Sequence, residues 1–200
     1  MPPDMQHLNF ALWSAGANWL AWRADFDFAG PAEQLPVLVD PGRFKRFVKE
    51  YGVLRGVPSA GRENARALLL VPPLFGDALA AGAEGIDRLA TDLSFDLHGK
   101  QTAFFSKLAA FAQPGRFVAY DRFARRGLAR ATGRPDGSYD GSYRNYSIDI
   151  DLSWRGELGK QIRSFLRGRA APVNSGGNAF GRRVLDAYLM VKGGRWPNVA

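Results

Sequence analysis

The sequence of 200 residues contains no cysteine and two histidines, His7 and His98. The missing thiols exclude disulfides, cysteine-ligated zinc and iron–sulfur clusters, and two imidazoles are too few for a histidine-rich metal site. We therefore expect no bound metal or other cofactor. There is also no run of 18 apolar residues, and the first 22 residues lack the basic start of a signal peptide. These absences predict no membrane partner and a cytoplasmic location.

The charge is unbalanced, with 27 Lys and Arg against 19 Asp and Glu, a formal net charge of +8 and a pI near 10.1. A strongly basic chain favours polyanionic partners. Nucleic acid is the first candidate partner and an anionic membrane surface the second, and no obligate protein partner is evident. Hydrophobic residues make up 46% of the chain, with fourteen Phe and five Trp, which is enough for a sizeable core.

Residues 1–96 have helical patterns joined by segments rich in proline and glycine, and we expect a mostly helical N-terminal lobe. Apolar spacing predicts helices over Phe10–Trp22, Arg62–Leu70 and Gly85–Leu93. Asp40-Pro41 is a typical helix start, with the Asp as N-cap and the Pro in the first turn.

Residues 97–200 form the predicted second lobe, although the whole chain is also compatible with one integrated domain. The segment around Phe104–Ala112 predicts a mostly buried helix whose narrow remaining face carries Ser106, Lys107 and Ala110. A basic helix follows Asp121 as far as Gly133. We expect a loop with a hairpin next, a short β-like patch over Tyr146–Leu152, and final helices over Leu152–Leu166 and Ala179–Val191. The predicted class is mainly α.

The segment 97–133 resembles the helix-hairpin-helix superfamily of DNA glycosylases, in particular its bacterial branch related to 8-oxoguanine glycosylase. The resemblance rests on FSKLAAFAQPGRFVAYD and on the positions of Leu97, Gly99, Thr102-Ala103, Pro114 and Tyr120-Asp121. RVLDAYLMVKGG is similar to the closing helix of that branch. The hairpin departs from the family, because His98 replaces a proline, Lys100 a small apolar residue and Gln101 a glycine.

This resemblance implies a two-lobed helical fold with the active site between the lobes. It implies Asp121 as the catalytic carboxylate and Lys107 as a second candidate. The implied DNA contacts are Gly99, Lys100, Gln101, Thr102, Ser106, Arg122, Arg125 and Arg126, and the implied base pocket or stacking residues are Tyr120, Tyr143 and Tyr146. The residues alone leave simpler alternatives open: Asp121 is also a plain N-cap, Lys107 a solvated lysine, and the arginines a solvated face.

The predicted function is base excision from DNA by cleavage of the N-glycosidic bond after base flipping. The family's reactive lysine position holds Thr102-Ala103, which favours a monofunctional enzyme that uses water and leaves an abasic site. Divergence from the repair pattern suggests defence against phages whose DNA carries modified bases such as glucosyl-hydroxymethylcytosine. The alternative is a noncatalytic nucleic-acid-binding module, and an RNA-targeting toxin or nuclease is a weaker third.

Overall fold

The computed structural model describes residues 4–26, 28–94, 97, 99–167, 169 and 177–195, and these residues are helical without a strand. The predicted mainly α class is confirmed. A 3-10 turn, Ala32–Gln34, accompanies the α-helices. In chain order the helices are α1 Met5–Ala21, α2 Arg23–Phe26, α3 Pro36–Val39, α4 Pro41–Tyr51, α5 Ser59–Leu69, α6 Leu74–Ala80, α7 Gly82–Asp92, α8 Thr102–Ala112, α9 Arg122–Thr132, α10 Tyr143–Arg155, α11 Glu157–Leu166 and α12 Gly177–Lys192.

Aspartate side chains cap the starts of α4 and α9, two helices that carry several basic residues. Asp40 accepts hydrogen bonds from the backbone N–H groups of Gly42 and Arg43 at 2.7 and 3.2 Å, which begins α4 as predicted. Asp121 accepts from the Phe123 N–H at 2.8 Å and begins α9. Gly133 ends α9 in the left-handed conformation that favours glycine.

The predicted β-like patch over Tyr146–Leu152 is wrong, because these residues lie inside α10. Ser142 caps this helix, and the core-facing residues Tyr143, Tyr146, Ile150 and Trp154 follow helical spacing. The predicted hairpin is replaced by turns between α9 and α10. The helix predicted over Leu152–Leu166 is broken at Gly156, where α10 ends and α11 begins.

One continuous apolar core crosses the predicted boundary between residues 96 and 97. The ring of Phe111 in α8 lies 4.6 to 5.3 Å, between centroids, from rings of the N-terminal half: Trp22, Phe26, Phe47 and Tyr51. Helix α12 packs against both α1 and α9. The first and last helices of the described chain therefore meet, and α9, which carries Asp121 at its start, lies beside α12.

Candidate functional site

Asp121 lies where the non-helical segment 117–120 enters α9, and contacts of that segment with α8 hold its position. The hydroxyl of Ser106 in α8 accepts a hydrogen bond from the Tyr120 N–H at 2.9 Å and donates to the Ala103 carbonyl at 3.2 Å. Ser106 is fully buried, so these are its available partners among the described residues. The carboxylate of Asp121 caps α9 and is 14% exposed, at the wall of a cleft.

Lys107 lies beside Asp121 and is buried, which corrects the prediction that Ser106, Lys107 and Ala110 form a narrow face apart from the core. All three side chains are inside the protein. The Lys107 ammonium donates to the Tyr51 carbonyl at 3.0 Å and lies 3.5 Å from a carboxylate oxygen of Asp121. Burial lowers the pKa of Lys107, and the charges of Asp121 and Asp186 oppose that change.

The cleft at this point has a volume of about 590 Å³ and is bounded by both halves of the chain. Helices α1 and α4 form one wall, and α8, α9 and α12 supply the rest. The lining residues that carry polar or charged side chains are Ser14, Asn18, Glu50, Tyr51, Lys107, Asp121, Arg183, Asp186 and Arg195. The volume lies within the range of about 300–1,000 Å³ that is typical of small-molecule sites.

Asp186 in α12 is a second cleft carboxylate that the sequence did not single out. Its residue is 6% exposed, and its Oδ1 has no hydrogen-bond partner within the described structure. Burial raises the pKa of Asp186 to about 6, and the nearby charge of Asp121 acts in the same direction, whereas Arg183 and Lys107 oppose it. The cleft therefore contains a carboxylate with a buried ammonium beside it and a carboxyl group that holds a proton more readily than usual.

Four further residues complete the cleft. The Arg183 guanidinium lies 4.0 Å from Asp186 and donates to the Asn18 side-chain oxygen at 2.9 Å, while the Asn18 amide donates to the Tyr51 hydroxyl. Arg195 lies 3.8 Å from Asp121 at the more exposed side. Sequence reasoning missed these residues because they come from positions 18, 51, 183 and 195, which only the packing of α1, α4 and α12 brings together.

The predicted hairpin residues lie between α7 and α8 and outside the lining of the cleft. Gly99 has a φ of 123°, and Lys100 forms an ion pair with Asp87 at 3.2 Å. Gln101 donates to the Leu97 carbonyl at 3.3 Å, and Thr102 begins α8. His98 is outside the described residues. Their role in DNA binding stays a prediction.

The arginines of α9 are largely engaged with neighbouring groups. Arg125 pairs with Asp140 and lies 4.4 Å from the Tyr120 ring centroid. Arg126 and Arg130 both approach Asp136 at 3.4 Å. Arg122 is exposed and lies over the ring of Phe123, a residue of the cleft wall, at 4.8 Å. Of the three arginines predicted to contact DNA, Arg122 is the one whose sequence neighbours, Asp121 and Phe123, line the cleft.

The tyrosines predicted to receive a base lie in the core. Tyr143 and Tyr146 are fully buried, and their hydroxyls donate to the carbonyls of Val118 and Ala119 at 2.9 and 3.2 Å. Burial raises the pKa of both. Tyr120 is 7% exposed and donates to the Tyr139 carbonyl. These contacts hold the segment that precedes Asp121, and the aromatic rings that do line the cleft belong to Tyr51 and Phe123.

None of the described helices is long and apolar enough to span a membrane. Within the same residues there is no group of three or more His, Asp and Glu side chains arranged to hold a metal ion. Comparisons with protein-family models, curated proteins and solved structures find no match to the chain.

Proposed function

We propose that the protein is a DNA glycosylase that excises a damaged or modified base by hydrolysing its N-glycosidic bond. The observation that carries the proposal is the placement of Asp121 in a cleft of about 590 Å³, 3.5 Å from the buried Lys107 ammonium and close to the buried carboxyl of Asp186. Cleavage of such a bond develops positive charge on the sugar as the base leaves, and a fixed carboxylate stabilises that charge.

In this mechanism Asp121 acts on the sugar side of the bond. Its carboxylate lies at the N-terminal end of α9 and 3.5 Å from the Lys107 ammonium. As the bond between C1′ and the base nitrogen breaks, the electron pair stays with the base. Water adds to C1′, and Asp121 accepts the proton that the water loses.

Asp186 is the proposed proton donor to the departing base. Asp186 lines the cleft, its Oδ1 has no hydrogen-bond partner among the described residues, and its raised pKa keeps a fraction of the carboxyl protonated near neutral pH. The base nitrogen takes the proton of Asp186, so that water plus nucleotide gives an abasic site plus the neutral base. Solvent then removes the proton from Asp121 and returns one to Asp186, which restores the starting state.

Lys107 holds Asp121 rather than attacking the sugar. Its ammonium already contacts the Tyr51 carbonyl and Asp121, and attack would require loss of both contacts together with its proton. We therefore keep the monofunctional assignment, in which water is the nucleophile. Borohydride trapping tests this point directly, because a covalent complex between protein and DNA would assign the attack to an amine instead.

A flipped base in the cleft would lie near the rings of Tyr51 and Phe123, where stacking is available. The cleft volume suits a drug-sized ligand, which leaves room for a base with an attached sugar. Asn18, Glu50, Arg183 and Arg195 offer hydrogen-bonding groups to the hydroxyls of such a sugar. These features support bulky modified pyrimidines, such as glucosyl-hydroxymethylcytosine in phage DNA, as the substrate class and antiviral defence as the role.

The test compares wild type, Asp121→Asn and a matched control, Asp140→Asn, on DNAs with oxidised, alkylated, deaminated or glucosyl-hydroxymethylated bases. Alkali then cuts any abasic sites. We expect Asp121→Asn to lose about 10²-fold or more in rate, because it removes the charge that the transition state needs. Asn also caps helices, so circular dichroism should show a folded variant. Asp140 is an exposed surface partner of Arg125, and its variant should keep full activity.

Excision confined to oxidised or alkylated bases would contradict the defence role and leave the glycosylase assignment intact. A different result would favour the noncatalytic nucleic-acid-binding module: neither wild type nor Asp121→Asn produces abasic sites in any DNA, and both retain salt-sensitive binding.

A further inference from the structure

A second cavity, of about 550 Å³, lies between α4 and α5 and is rich in positive charge. We call it the basic groove; its polar lining comprises Lys45, Lys49, Arg55, Ser59, Arg62 and Glu63. Glu63 is its one carboxylate, and Arg66 already neutralises it at 2.9 Å. The groove therefore presents four cationic side chains and no unpaired acid.

None of these four cations has a carboxylate partner among the described residues. Lys45 and Lys49 are exposed on one face of α4, four residues apart, and Arg55 is exposed in the loop that follows. Like charges at this spacing on a helix repel each other and destabilise it. The dipole of α4 favours Lys49 in its last turn but not Lys45, which lies in the middle of the helix. The fold alone leaves the Lys45–Lys49 repulsion without compensation.

The groove has a fixed shape despite its charged lining. The Arg62 Nε donates to the Val57 carbonyl at 2.8 Å, which holds the guanidinium at the wall. Phe44, Val48 and Val53 form the apolar floor, and all three are buried. Gly52 and Leu54 have φ values of 58° and 53°, so the loop between the helices follows a defined left-handed path.

The groove and the cleft are both lined by residues at the end of α4. Glu50 and Tyr51 line the cleft, and the adjacent Lys49 and Gly52 line the groove. The carbonyl of Tyr51 is also the acceptor of the Lys107 ammonium. A polyanion in the groove would therefore lie beside the end of α4, whose last two residues also line the cleft.

We infer that the basic groove binds the phosphodiester backbone of nucleic acid and leads the strand to the cleft. The inference rests on the proposed function only for the choice of DNA as ligand. It adds Lys45, Lys49, Arg55 and Arg62 as contacts that are separate from the residues 99–102 and the arginines of α9. Phosphate contacts of this kind position a strand without reading its sequence.

The test measures binding of a fluorescein-labelled DNA duplex without modified bases by anisotropy, at several salt concentrations. The groove variant is Lys45→Gln/Lys49→Gln/Arg55→Gln. The control is Arg144→Gln/Arg155→Gln/Lys160→Gln, which removes the same charge from exposed positions on α10 and α11. The groove variant should weaken binding on the order of 10²-fold in 0.1 M salt and reduce the slope of log affinity against log salt by about 3. The control should change neither quantity by a comparable amount.

Equal losses in the two variants would overturn the inference, since they would reflect net charge alone. Retained DNA binding by the groove variant, with lost binding to phosphatidylserine vesicles, would overturn it in favour of a membrane surface. These readouts are binding measurements, so a failure of base excision leaves them intact. If excision is observed, the groove variant should raise KM and leave kcat unchanged, because its substitutions lie outside the cleft.

Discussion

At the residue scale, the cleft holds two carboxylates in different surroundings, Asp121 beside the Lys107 ammonium and Asp186 buried in α12. The sequence singled out Asp121 through its place at a helix start and through the family resemblance. Asp186 has no such pattern within α12. Its raised pKa arises from burial among side chains that lie far away in sequence, so only the packed structure identifies it.

The pH dependence of excision follows from that burial. A proton donor acts in its protonated form, so kcat/KM should fall as pH rises through about 6, the pKa of Asp186. The charged or titratable groups that face it are Lys107, Asp121, Arg183, Arg195, Tyr51 and Tyr146. Asp186→Asn should remove this limb of the profile and lower the rate at its acidic end. A profile through pH 6 that is unchanged in the variant would contradict the role of Asp186 as donor.

Stability measurements separate this chemical role from a structural one. The folded pKa of about 6 lies above the ordinary value of 3.8, so the protonated carboxyl stabilises the fold fully below pH 4 and this contribution is lost as pH rises through 6. The difference between these two pKa values of Asp186 corresponds to a loss of unfolding free energy on the order of 3 kcal/mol at high pH. Asp186→Asn should therefore gain stability relative to wild type at pH 8 and not at pH 4, as read from urea unfolding.

At the element scale, helix starts with a capping side chain were predicted correctly. A helix with exposed apolar residues on its outer side was predicted wrongly as a strand. The starts at Asp40 and Asp121 were predicted from side chains that cap them. The strand predicted over Tyr146–Leu152 failed because Ile148 and Leu152, which suggest an alternating buried pattern, lie 47% and 61% exposed on the outer side of α10. Tertiary contacts of the opposite face determine the helix instead.

The crossing of α9 and α12 sets the position of Asp121 relative to Asp186. A Cβ added at Gly127 would lie 1.8 Å from the Leu189 carbonyl oxygen, and one at Gly193 would lie 1.9 Å from that of Phe123. Gly127→Ala gains up to about 1 kcal/mol of helix propensity. Forced separation of the two backbones costs about 1–3 kcal/mol or more. We expect the variant to be less stable in urea and to lose excision activity.

The control for this prediction is Gly115→Ala, since its added Cβ would meet only the Ala179 Cβ at 4.0 Å, an ordinary contact. Wild-type activity and stability in both variants would show that the close approach of α9 and α12 does not position the two carboxylates.

At the scale of the whole molecule, the shared core predicts cooperative unfolding. Aromatic contacts of Phe111 cross the boundary between residues 96 and 97, and Arg183 joins Asn18 across the cleft. The halves should therefore melt in one transition, with equal calorimetric and van't Hoff enthalpies. Two resolved transitions by differential scanning calorimetry would contradict the single core and support separate lobes.

The position of Asp186 also has a consequence for synthesis. Ribosomes make the chain from its N-terminus, so α12 is produced after the helices that carry Asp121 and Lys107. A nascent chain contains Asp121 and Lys107 before it contains Arg183 and Asp186, which line the same cleft. Under the proposed mechanism, which needs Asp186 as proton donor, we expect a product terminated before α12 to lack excision activity.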